Sequence, residues 1–256
     1  MKKLKYYFVP HGSDPLSIQE LNSDPEKYIG LFVTQNTRQK CPWFNGLSKL
    51  HKIKERFRLA KRKLFNNEIT LEQCNKELEV SSSARTCPGI VDLLDQSIIV
   101  HCPTDVHISI NTNGEYYWNS PSNELINISS HPREQYIAED NKLFKDKINI
   151  KFNLGLRLST DNDIQWVYLQ PQYHYDAPWE VVHGVMKGNH TSTELLNINT
   201  FVKINENEQT DLFIPAGTPL CYIWFSEPVK LVHNNGIQKT DFITKFVGEK
   251  RFFYKK

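Results

Sequence analysis

Apolar and polar positions alternate through most of the second half of this chain. Between residues 150 and 159, Ile150, Phe152, Leu154, Leu156 and Leu158 alternate with Lys151, Asn153, Gly155, Arg157 and Ser159. That period gives an antiparallel strand one dry face and one wet face. The same pattern, or a run of β-branched and aromatic residues, marks strands at 97–102, 106–110, 115–119, 124–129, 148–160, 164–171, 179–186, 195–204, 218–225 and 229–233. Turn chemistry separates them at Asn113-Gly114, Asp161-Asn162-Asp163 and Asn234-Asn235-Gly236. Short strands at this spacing predict a mainly β fold, with an antiparallel β-sandwich or jelly-roll-like body over residues 81–256.

A helical period governs residues 46–80. Leu50, Ile53, Phe57, Ala60 and Leu64 fall three or four apart and share one helix face. Asn66-Asn67 marks a turn, and Thr70 with Gln73 resembles a capping box opening a second helix lined by Leu71, Cys74 and Leu78. The expectation is an α-helical hairpin inserted ahead of the β body, with 81–85 as the linker out of it. Residues 1–45 carry prolines at 10, 15, 25 and 42. They read as an irregular segment that packs short strands on the body, one at the N-terminus and one over 28–33.

With 39% hydrophobic and 12% aromatic residues, 256 residues suffice for a real core. No apolar run is long enough to span a bilayer, and the stretch Tyr6-Tyr7-Phe8-Val9 is too short for a signal peptide. The expected setting is the host cytoplasm, without a membrane. The five cysteines (41, 74, 87, 102 and 221) contain no close-spaced pair and read as reduced, buried thiols. No phosphate loop, nucleophile elbow or zincin motif is present.

Charge changes the picture at one place. Lys49, Lys52, Lys54, Arg56, Arg58, Lys61, Arg62 and Lys63 crowd the first helix against the single acid Glu55, in a chain whose net charge is +2. Lys52, Lys54, Arg56, Arg58, Lys61, Arg62 and Lys63 are therefore candidates for docking an acidic protein surface or DNA phosphates. Beside this stands the plain alternative of a solvated helix whose apolar stripe packs on the sandwich or on the second helix.

His174, Asp176 and His233 form the only metal-like pattern. An HxD followed by a distant histidine on a β scaffold can bind Fe(II) as a facial triad, which would make the chain a 2-oxoglutarate-type oxygenase. The context argues otherwise, because His233 is followed by a turn and a lone Lys239 rather than a basic residue on a strand. Ile214-Pro215-Ala216-Gly217 resembles a cupin motif, but no ligand follows it. The proline and glycine account for it as the turn before a buried strand.

Residues 85–230 also resemble an uncharacterised family of proteins encoded by tailed phages, notably of marine bacteria. The likeness rests on Cys87-Pro88 with Asp92, the run SIIVHCPTDVHISI, Trp118, His131 with Gln135, residues 150–158, APWEVVHG and IPAGTPL. It implies a viral β-sandwich with no assigned activity or cofactor. Together these readings predict a virion structural or assembly protein, in a capsid, neck or tail position. Such a protein contacts other virion proteins, forms a symmetric oligomer and docks a partner or DNA through the 48–65 helix. The alternatives are the Fe(II) oxygenase and an accessory nucleic-acid-binding protein.

Overall fold

The computed structural model describes residues 1–9, 11, 20–35, 37–46, 50–81, 87–136, 144–160, 164–187, 195–205 and 207–234, with backbone alone for 50–54, 78–81, 187 and 195. Along the chain run β1 (Lys2–Phe8), α1 (Pro25–Phe32), β2 (Val33–Thr34), α2 (Thr37–Lys40), α3 (Pro42–Gly46), α4 (Leu50–Phe65), α5 (Leu71–Ser81) and α6 (Pro88–Asp95). Then follow β3 (Ser97–His101), β4 (Val106–Ile110), β5 (Tyr116–Asn119), β6 (Ile126–Ser129), β7 (Lys147–Thr160), β8 (Gln165–Leu169) and β9 (Trp179–Val181). The last are β10 (Val185–Lys187), β11 (Leu195–Lys203), β12 (Thr210–Ile214), β13 (Pro219–Phe225) and β14 (Val229–His233). The fold is mainly β.

Three sheets result. The first has the order β14-β1-β7-β11-β9, with β6 also on β7; the second runs β10-β8-β13-β3-β2 and the third β12-β4-β5. The 14-residue β7 is the spine of the first sheet. β11 follows one of its edges from Lys147 to Arg157, with a register shift between Leu195 and Leu196. β6 and β1 share the other, pairing with residues 151–154 and 156–160 respectively. Neighbouring strands are antiparallel except β1 and β14, which pair in parallel from Lys2↔Val229 to Tyr6↔His233.

β7 does not have the one dry and one wet face that its alternation predicts, because Asn149, Asn153 and Arg157 on its polar face are buried as well. Ile148, Ile150, Phe152, Leu154, Leu156 and Leu158 enter a core cluster that also takes Ile98 and Val100 from the second sheet and Val106, Ile108 and Ile110 from the third. β3 of the second sheet is buried on both faces, which explains why Ile98, Ile99 and Val100 are apolar without alternation. Ile99 and Tyr222 turn away from the main core and meet Cys41, Phe44 of α3 and Leu94 of α6 in a second cluster.

Several elements differ from the sequence reading. The apolar stretch 28–33 is helical in α1 up to Phe32 and extended only at Val33–Thr34. Pro25 stands in the first turn with Glu26, both favourable at a helix N-terminus. A further helix, α6, precedes the sheet body and again starts at a proline. The stretch 179–186 is two strands, because Val182-His183-Gly184 breaks it and sends β9 and β10 to different sheets. β12 was not expected. The expected linker 81–85 falls, apart from Ser81, outside the described residues, as do Asp161-Asn162-Asp163 and most of the turn after His233.

Candidate functional site

α4 and α5 make their principal contacts with one another. Asn67, at φ 58°, turns the chain between them. The Gln73 side-chain carbonyl then accepts the Thr70 N–H at 2.9 Å, while the Gln73 N–H donates to the Thr70 hydroxyl at 3.2 Å, a reciprocal capping box. Ala60 and Cys74 are buried, and Lys63 Nζ reaches Glu77 Oε1 at 3.2 Å. The remaining described apolar residues of the stripe are less covered than its period implies. Phe57 is 41% exposed and Leu64 is half-buried, while Leu59, Leu71 and Phe65 (88%) also face solvent. Arg56, Arg58, Lys61 and Arg62 are exposed among them; Lys63 is half-buried, and Lys61 lies 4.5 Å from the Phe57 ring centre. The side chains of Lys52 and Lys54 lie outside the described ones.

His174, Asp176 and His233 have separate surroundings. His233 ends β14, tilts against Tyr6 and bonds Asn22 Oδ1 at 3.2 Å. Asp176 is exposed. His174 lies in the turn after β8 with its Nδ1 2.5 Å from the Tyr222 hydroxyl. Among the described residues, no group of three His, Cys, Asp or Glu side chains is placed to hold a metal ion. Burial, then the neighbouring His101, push the His174 pKa down to about 4, against the raising effect of the Thr37 backbone. The neutral ring therefore accepts the Tyr222 O–H. His101 donates Nδ1–H to the Gly217 carbonyl and accepts from the Thr34 hydroxyl, both at 2.9 Å. The thiol of Cys41 points to the Tyr173 carbonyl at 3.3 Å and accepts the Phe44 N–H, and burial holds its pKa up. This cluster ties α2, α3 and the second sheet together through neutral groups, with no activated nucleophile among them.

The outer face of the third sheet carries a serine, a histidine and an aspartate. The Ser109 hydroxyl donates to Asp211 Oδ1 at 2.6 Å, and His107 Nε2 stands 3.7 Å from the same oxygen. A hydrolytic nucleophile needs its proton on the imidazole. Here it goes to the carboxylate, so the arrangement is an exposed polar network between the exposed rings of Tyr117 and Phe213.

A cavity of about 330 Å³ lies beside β11. β9 covers β11 only over Thr200–Val202, and Leu196, Asn197 and Asn199 line the cavity together with Trp166 and Tyr168 of β8 and Lys151 of β7. The sequence reading names Lys151, and also His131 and Leu158 of the same lining, but not as site residues, and it passes over the asparagines of β11. The available signal was asparagine, a residue depleted in strands. It recurs at alternate positions in β11 (Asn197, Asn199), and in β6 and β7 Asn127 and Asn153 sit in register with Asn197.

No family model, curated protein or solved structure matches the chain.

Proposed function

We propose that the chain is an assembly protein whose β-sandwich body carries a two-helix docking arm. The sandwich reading rests on the single core cluster that takes residues from all three sheets. The functional reading rests on the arm: Phe57, Leu59, Phe65 and Leu71 stand exposed beside Arg56, Arg58, Lys61 and Arg62. A solvated helix keeps its apolar stripe covered and its charges outward. Exposed phenylalanine and leucine interleaved with arginine make the composition of a protein interface. The partner surface that fits is acidic with apolar pockets. A virion or its assembly pathway is the setting that the phage resemblance implies.

Light scattering across a concentration series, with metal content measured on the same peak, tests this. The expected result is a defined oligomer, or a stable complex with an acidic partner, that Leu59→Glu with Phe65→Glu dissolves. Salt-steep DNA binding abolished by changing Arg56, Arg58, Lys61 and Arg62 to glutamine would replace the partner with nucleic acid. A monomer carrying stoichiometric iron would replace the reading with the oxygenase one.

A further inference from the structure

The strands of the third sheet alternate cleanly between core and solvent. Ile108 and Ile110 of β4 and Leu212 and Ile214 of β12 enter the main core, while His107, Tyr117, Asp211 and Phe213 are exposed. Tyr117 keeps 72% of its surface and Phe213 64%, one on each outer strand of the sheet. Register sets Tyr117 opposite Ser109 and Phe213 opposite His107, so the two rings flank β4 on one face. The charge there has one sign. All three strands come from two stretches of chain, 86–132 and 204–229, that contain neither lysine nor arginine. Asp211 lies on the face, and Asp105 and Glu115 stand exposed one residue ahead of β4 and β5. Exposed aromatic rings among carboxylates mark a contact surface.

The arm carries the complement, with Phe57, Leu59 and Phe65 exposed beside Arg58, Lys61 and Arg62. The principal contacts of α4 and α5 are with one another, so the arm leaves this face open on its own chain. We infer that the arm of one copy docks on the outer face of the third sheet of a second copy. On the docking-arm reading, on which this rests, the acidic partner is therefore the chain itself. Opposite charges steer the two surfaces together, and the apolar residues of the arm cover Tyr117 and Phe213. Arm and sheet are different surfaces, so the contact is head-to-tail. It repeats from copy to copy until it closes into a ring or runs on as a filament.

Two variants confined to exposed side chains test this: Leu59→Glu with Phe65→Glu on the arm, and Tyr117→Glu with Phe213→Glu on the sheet. In light scattering across a concentration series the wild type should assemble. Each variant should raise the dissociation constant about tenfold or more, with its melting temperature within a few degrees of the wild type. Asp211→Lys keeps both rings and should also weaken assembly, most strongly at low salt. An equimolar mixture of the two double variants should recover a complex, because the intact arm of one meets the intact sheet of the other. A wild type that stays monomeric at about 100 μM would overturn the inference and leave the arm to a different partner. So would an assembly that the arm variant dissolves and the sheet variants do not, or double variants that fail to complement. Assembly untouched by the arm variant would overturn the docking-arm reading as well.

Discussion

His174 illustrates how burial decides what a residue does. In the sequence it belongs to an HxD and suggests a metal ligand; in the fold it is a neutral acceptor for Tyr222, with its pKa held down to about 4. Unfolded, it would take up a proton near pH 6.5, its ordinary value. Its contribution to stability is therefore present above pH 6.5 and lost as pH falls toward 4, because the unfolded chain binds a proton that the folded one refuses. With a discount for solvent screening of a half-buried group, the loss is roughly 2 kcal/mol. His101, also lowered by burial, acts in the same direction. Urea midpoints between pH 7 and about 4 should fall, and His174→Gln should flatten the curve. A slope unchanged in that variant would assign the loss to other groups. The thiols make a second test at this scale. Cys87 is exposed, whereas Cys41, Cys74, Cys102 and Cys221 are buried and burial pushes Cys102 up to about 12. A thiol reagent read by mass spectrometry should add one label rapidly to the native chain and five in denaturant. More than one rapid native label would contradict this burial.

Single elements were legible where one period ran without interruption. β7 reads off the sequence nearly to the residue because its apolar residues recur at every second position, although its polar face is largely buried as well. β14 matches its expected bounds without a clean alternation of environments. The period failed at α1 and α6, where short apolar runs suit strand and helix equally and the proline at the helix start decides. The apolar stripe of α4 was legible, but its exposure was not, since periodicity shows which residues share a face and not what covers it. Within α4–α5 the contributions are separable. Thr70→Ala removes a reciprocal cap and should cost the arm about 1 kcal/mol, or roughly fivefold faster amide exchange in α5. Lys63→Ala removes only the partly exposed Glu77 pair and should change exchange by less than about twofold. Equal effects from the two would show that the cap is not what starts α5.

At the scale of the molecule, the sequence carried the mainly β character but not the division into three sheets. Strand boundaries follow from local period, whereas sheet membership depends on pairings as distant as β1 with β14. The cavity beside β11 was hidden for the same reason, since its walls come from strands of two sheets. The two core clusters also show which parts the body needs. Leu4, Tyr6 and Phe8 of β1 sit in the main cluster, and no described residue of α4 or α5 belongs to either. At about 2 kcal/mol for each buried side chain, losing β1 removes roughly 6 kcal/mol, comparable with the whole net stability of a domain. It also leaves an edge of β7 unpaired. Deleting residues 1–8 should therefore abolish soluble, cooperatively melting protein. Replacing residues 47–86 with a flexible Gly/Ser linker should leave the melting temperature of the body within a few degrees while removing the arm's partner contacts. Circular dichroism melts of the two deletions decide the matter. If the body lost its cooperative transition along with the arm, α4 and α5 would be part of the core, and the docking-arm reading would fall with it.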